Sequence, residues 1–308
     1  MPAAAQGQNR PPPPMRPLAE ARSQLVAFDA PVFPYRGRVP DTGKPFLDVR
    51  EGARRGHRTG RGDVLWEDPT YSDRRSLLFL PKGFDAARPA LIVFYLHGNG
   101  ATLERDVRDR QAVPRQLEES GLNAALVAPQ LAVDAADSSA GNLWRPGYFA
   151  RMIDEAAERL MRLHGDRRAG PALNAAPVVL VAYSGGYLPA AFALADGGAG
   201  HRVRGTILMD ALYGEEAKFA AWFGARRRQV FLLSAFTDST RDYQATLRGL
   251  LAARGIAPTS AMPAALSPGT ASFIAAGGIE RHADFATQAW TANPLRAAFA
   301  AIPGYKVR

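Results

Sequence analysis

Short runs of apolar and β-branched residues recur along the chain with amphipathic stretches between them, and this alternation constrains the fold more than any other feature. The runs are LLFL (77–80), LIVFYL (91–96), AALVAP (124–129), VVLVAY (178–183), GTILMD (205–210), VFLLSA (230–235) and ASFIAA (271–276). Strands apolar on both sides must be covered on both faces, which calls for a mostly parallel sheet between two helical layers. Helical periodicity falls near 103–119, 148–164, 187–195, 215–223, 240–253 and 284–301, and a further short helix is expected around 18–28. The predicted fold class is α/β, a three-layer sandwich with a central sheet of about eight strands.

A chain of 308 residues is long for one domain, yet α/β folds of this size commonly form a single unit. The opening MPAAAQGQNRPPPPM has no periodicity, so residues 1–17 are expected to form a disordered, Pro-rich tail. Residues 18–74 are expected to pack on or lead into a core spanning 75–308. Ala3 to Ala5 before Gln6 resemble the small-residue end of a secretory signal without its apolar part, which leans the expected location toward a secreted or periplasmic one. No apolar run approaches the roughly 18 residues of a membrane helix.

The chain has no cysteine, so disulfides, thiolate nucleophiles and cysteine-ligated metals are excluded, and any nucleophile must be oxygen or nitrogen. The formal net charge is +9. A local excess lies in REGARRGHRTGR (50–61), where Arg50, Arg54, Arg55, Arg58 and Arg61 face only Glu51. Such a stretch is suited to an anionic polymer or to membrane headgroups, but it lacks interleaved aromatics and any nucleic-acid-binding motif, so nucleic acid is not an expected partner.

In open parallel sheets the reactive groups collect at the carboxyl ends of the strands. Here LIVFYL is followed by His97-Gly98-Asn99-Gly100, VVLVAY by Ser184-Gly185-Gly186, and GTILMD ends in Asp210. VFLLSA leads to Phe236-Thr237-Asp238, and ASFIAA to a segment containing His282. A serine, a later aspartate and a still later histidine on such an alternation resemble the α/β-hydrolase superfamily, over roughly residues 75–302. The superfamily's elbow reads G-x-S-x-G, whereas this chain has Ala182-Tyr183-Ser184-Gly185-Gly186, a departure by one methyl group.

The resemblance implies that Ser184 is the nucleophile and His282 the general base, with oxyanion donors from the backbone of Gly185 and of Gly98 or Asn99. His97 is expected to order its loop. For the acid, Asp238 occupies the usual location, but TDSTRD also reads as a helix N-cap. Asp210 closes an apolar strand, where a carboxylate needs a partner such as a histidine, and it is preferred.

Only about twenty residues separate Asp210 from the next strand, so no large cap domain is expected there. The irregular stretches 132–147 and 255–269 are expected to rim an open cleft suited to a bulky or polymeric acyl substrate. Tyr183, Tyr187, Tyr213 and Trp144 are the candidate substrate-binding aromatics, with Asp137 and Asn142 as polar candidates. The expected function is that of a serine hydrolase cleaving a carboxylic ester or amide through an acyl-enzyme. An acyltransferase using the same residues, and a non-catalytic module for an anionic polymer, are the alternatives. No cofactor or metal is expected, since the sequence has neither a metal-spaced ligand cluster nor a dinucleotide fingerprint.

Overall fold

A computed structural model describes residues 14–276 and 282–307. Its centre is an eight-stranded sheet built from β1 (Arg22–Ala27), β5 (Arg75–Leu80), β6 (Leu91–Leu96), β7 (Ala124–Pro129), β8 (Val178–Tyr183), β9 (Val203–Met209), β10 (Phe231–Phe236) and β11 (Ala271–Ala275). The order across the sheet is β1-β5-β7-β6-β8-β9-β10-β11. From β7 to β11 every pairing is parallel, while β5 runs antiparallel to both β1 and β7.

The period-two alternation of a strand explains why one apolar run feeds two cores. In β8, Val178, Leu180 and Ala182 join one hydrophobic cluster, and Val179, Val181 and Tyr183 join the other. The first cluster is closed by the helices Tyr148–His164, Tyr187–Ala195 and Glu216–Arg226, through Phe149, Ala191, Phe219 and Phe223. The second is closed by Leu103–Arg110, Val113–Glu119 and Pro294–Ala300, through Val107, Leu117 and Phe299. Burying both faces is what the apolar runs demanded.

Several expectations are corrected. Residues around 18–28 do not form a helix: RSQLVA is β1, whose side chains are mostly exposed and which gains its backbone partners from β5. The predicted helix at 103–119 breaks into a π-helix, Leu103–Arg110, and an α-helix, Val113–Glu119. Ala112 adopts φ 50° between them, and Pro114 has no N–H to continue the ladder. The helix expected over 284–301 is confined to Pro294–Ala300, after Asn293 at φ 51°.

The stretch at 255–269 does not rim the carboxyl ends of the strands. It runs along the outer edge of β11, with Thr259 bridging Ser272, and returns toward the start of β10 through Gly269 N–H to Val230 O. The 132–147 stretch is largely buried against the N-terminal layer, where Asn142 N–H donates to Val32 O.

The basic stretch forms a separate three-stranded antiparallel sheet of β2 (Val49–Glu51), β3 (Arg54–Arg58) and β4 (Val64–Trp66). Part of its charge is answered locally. Arg54 pairs with Asp68 at 3.0 Å and lies over the Trp66 ring, and Arg55 pairs with Glu67 at 2.9 Å. Among the described residues no helix is long and apolar enough to cross a membrane.

Candidate active site

The apolar strand β8 ends in Tyr183, and the backbone then turns through Ser184 at φ 51°, a left-handed conformation that costs a non-glycine residue on the order of 1 kcal/mol or more. A 3₁₀ turn, Ser184–Gly186, leads into the helix Tyr187–Ala195. The two glycines are required by close approach. A Cβ on Gly186 would sit 2.4 Å from Leu96 O, and one on Gly185 would sit 2.1 Å from Asn99 Oδ1. Across the gap, a Cβ on Gly98 would meet Ser184 Cβ at 2.7 Å. The His97–Gly100 loop therefore lies directly against the serine turn, and Ala182, fully buried in β8, fills the place of the missing glycine.

Three side chains from three strand ends converge. Ser184 Oγ lies 2.8 Å from His282 Nε2, and His282 Nδ1 lies 2.6 Å from Asp210 Oδ2. Asp210, fully buried at φ 46°, also accepts from Thr237 N–H (3.0 Å), Thr237 Oγ1 (2.7 Å) and Thr240 Oγ1 (2.8 Å). Burial alone would raise its pKa, but the hydrogen bonds from His282, Thr237 and Thr240 outweigh that and hold it below the ordinary carboxylate value. It is an anion that fixes the proton of His282 on Nδ1, leaving Nε2 to accept from Ser184.

Asp238 is not part of this chain of contacts. Its carboxylate is 57% exposed and pairs with Arg241 at the start of the helix Arg241–Ala252. The residues that sequence reasoning missed are its neighbours Thr237 and Thr240. Two threonines three apart directly after an apolar strand, in the run TDST, were a signal that the hydroxyls, not Asp238, serve the site.

His97 faces away from this constellation. It is fully buried; Nδ1 lies 2.8 Å from Gly98 O, and Nε2 accepts from Leu131 N–H at 2.9 Å with Gln130 Nε2 at 3.0 Å. With donors on Nε2, the proton sits on Nδ1 and bonds Gly98 O. Burial lowers its pKa to about 4, so it is a neutral brace for the loop.

The candidate aromatics divide. Tyr183 is buried; its ring stacks on His282 with centroids 5.7 Å apart, and its hydroxyl donates to His282 O at 2.7 Å. Tyr213 meets the imidazole edge-on at 6.1 Å, with its hydroxyl 3.3 Å from Nδ1. Tyr187 and Tyr213 pack at 5.9 Å, and the row continues from Tyr213 to Tyr243 at 6.2 Å. Tyr243, a position the sequence did not single out, is 38% exposed.

Trp144 departs from expectation: it is 8% exposed in an aromatic cluster with Tyr35, Phe46 and Phe192, so its ring is core packing. Asn142 is likewise committed, its amide donating to Pro31 O, Val32 O and Pro34 O. Asp137 accepts from the Tyr71 hydroxyl and from Ser139. The 132–147 segment does reach the site at Ser138, whose hydroxyl donates to Asn99 Oδ1 at 3.1 Å. Among the described residues no cluster of three or more His, Asp or Glu side chains has metal-binding geometry.

No protein-family model matches the sequence, and no curated protein matches it. Solved structures do. The chain is similar to a fluorophosphonate-binding serine hydrolase of Staphylococcus aureus at 12% identity and TM-score 0.48, covering 91% of this chain and 97% of that one. A mutant of the feruloyl esterase module from Clostridium thermocellum, complexed with sinapinate, is similar at 15% identity and TM-score 0.46, covering 89% and 96%. An esterase of Pyrobaculum calidifontis is similar at 15% identity and TM-score 0.44, covering 92% and 86%. By its own strand order, its two helical layers and a sharp strand–serine–helix turn at the carboxyl edge, the fold is an α/β-hydrolase-like three-layer sandwich.

Proposed function

We propose that the protein is a serine hydrolase that cleaves a carboxylic ester, or the corresponding amide, through an acyl-enzyme. The observation that carries this reading is the continuous chain from Ser184 Oγ to His282 Nε2 at 2.8 Å and from His282 Nδ1 to Asp210 at 2.6 Å, with the serine raised on a left-handed turn.

In the proposed reaction Ser184 Oγ attacks the carbonyl carbon as its proton passes to His282 Nε2. Asp210 stays ionised and stabilises the imidazolium. The negative oxygen of the tetrahedral intermediate takes hydrogen bonds from the backbone N–H of Gly185 and of Gly98 or Asn99. Collapse breaks the bond to the leaving group, which departs with the proton from His282 and leaves the acyl group on Ser184. Water then repeats the sequence, giving its proton to His282 and releasing the acid. An ester leaves more readily than an amide, because an amine must be protonated before it departs.

The row Tyr187–Tyr213–Tyr243, whose middle ring meets His282 and whose last ring is exposed, supports a bulky substrate group packed beside the serine. Trp144 has no part in this reading.

A serine-selective fluorophosphonate tests it. The native protein is expected to be labelled at Ser184, to hydrolyse p-nitrophenyl esters, and to lose both with Ser184→Ala. A folded protein that neither reacts nor turns over any ester of a chain-length panel overturns the reading.

A further inference from the structure

The segment that joins the oxyanion loop to the rest of the fold is wound as a π-helix, Leu103–Arg110, a rare geometry that recurs at functional sites. It begins three residues after Gly100. Thr102 caps it, its hydroxyl accepting from Arg105 N–H at 3.3 Å, and Thr102 N–H donates to Asp106 Oδ2 at 2.8 Å. Asp106 is 3% exposed and also takes Arg105 Nε (3.0 Å) and Arg110 Nε (2.8 Å). Arg105 returns to Gly100 O, so the exit of the oxyanion loop is fixed from both sides of this carboxylate.

The other end of the same helix reaches the base. Arg110 Nη1 donates to Ala283 O at 2.9 Å, directly after His282. The Tyr183 hydroxyl converges on the same place, donating to His282 O at 2.7 Å and approaching Ala283 O at 3.2 Å. One buried carboxylate thus ties the loop that lies over Ser184 to the guanidinium that grips the backbone beside the imidazole.

We propose that Asp106 and Arg110 are positioning residues: through Ala283 O, Arg110 holds His282 at hydrogen-bond distance from Ser184, and Asp106 sets Arg110 from the oxyanion loop. The inference rests on the serine hydrolase reading of the site. The Arg110 side chain is 47% exposed, and without it the buried Asp106 keeps Thr102 N–H and Arg105 Nε as donors, so Arg110→Gln is expected to fold. Catalysis is far more sensitive, since a displacement of about 1 Å in a reacting group can cost on the order of a hundred-fold in rate.

The test compares wild type, Arg110→Gln, Arg110→Lys, Tyr183→Phe and the Arg110→Gln/Tyr183→Phe double variant by steady-state ester hydrolysis, Ser184 labelling rate and thermal unfolding. Arg110→Gln is expected to lower kcat about ten- to a hundred-fold, with KM within about two-fold and an unfolding midpoint close to wild type. Arg110→Lys should recover most of the loss, because an ammonium still reaches a carbonyl and a carboxylate. The two single effects should not add, because both donors act on Ala283 O.

Wild-type kcat in Arg110→Gln, or a loss that follows a lowered midpoint and is not recovered by lysine, overturns the proposal while labelled wild type leaves the reading of the site intact. A wild type that neither labels nor hydrolyses esters removes both.

Discussion

The loop after β6 and the loop that begins at His282 each place one histidine at the carboxyl edge of the sheet, and the two imidazoles have opposite assignments. His97 has no exposed surface, and its Nε2 lone pair is taken by Leu131 N–H with Gln130 beside it. The His282 side chain is 30% exposed, its Nδ1 proton is fixed by Asp210, and its Nε2 lone pair is directed at the one hydroxyl on the left-handed turn. In the proposed mechanism, what separates a brace from a base is who occupies the lone pair: a backbone donor takes that of His97, while that of His282 faces the Ser184 hydroxyl whose proton it would accept.

Exchanging the consequences of the two histidines is the strongest way to break this comparison. His282→Ala is expected to lower kcat by about a million-fold, as loss of a base does when nucleophile and base act as a unit. Its unfolding midpoint should stay near wild type, because Thr237 and Thr240 still hold Asp210. His97→Ala is expected to do the reverse, costing about 3 kcal/mol by leaving Leu131 N–H and Gly98 O unpartnered, while the folded fraction keeps far more activity than His282→Ala. Paired kcat and urea-unfolding measurements decide it; equal losses of activity in the two variants would erase the distinction.

The two aspartates extend the comparison to the acid. Asp210→Asn preserves shape but lets His282 carry its proton on the wrong nitrogen, for which a loss of about ten-thousand-fold in kcat is expected. Asp238→Asn removes an exposed pair with Arg241 and should leave kcat within about two-fold. Turnover of matched esters by the two variants separates them, and a larger effect at Asp238 would overturn the assignment of Asp210.

Much of this architecture was legible because β6, β7, β8 and β10 are buried along their whole length, so their sequences carry no alternative to a covered sheet. β1 was not legible for the opposite reason. An edge strand with mostly exposed side chains carries little apolar signature, and its state is decided by backbone pairing with β5. The strands β2 and β3, three and five residues long and carrying four arginines between them, were hidden in the same way, and β4, the three residues VLW, is too short to show an alternation.

At the site, Ser184, Asp210 and His282 could be read from their order after successive strands. Arg110 could not, because an arginine 173 residues from the carbonyl it grips leaves no local pattern. Trp144 was misread because nearness in sequence to a loop says nothing about which side of the loop its ring takes.

Acid titration tests the assignment of His97 as a neutral brace. Because burial lowers the His97 pKa from 6.5 to about 4, the unfolded chain binds a proton there that the folded chain refuses between those values. Stability is therefore full above about pH 6.5 and falls as pH drops toward 4, by about 3 kcal/mol in all from this group. His164, also lowered by burial and with no hydrogen-bond partner on either ring nitrogen among the described residues, adds a loss of the same sign. Asp210 contributes in the same direction but at lower pH, since its folded pKa lies below the ordinary 3.8 and its stabilising effect is lost as pH falls through that depressed value. Urea unfolding at several pH values between 7 and 4.5 should show wild type weakening steadily, with a shallower slope in His97→Asn and a shallower one again when His164→Leu is added. An unchanged slope in His97→Asn would mean that His97 titrates in the folded protein as it does in the unfolded chain, which is incompatible with an imidazole held neutral between Gly98 O and Leu131 N–H.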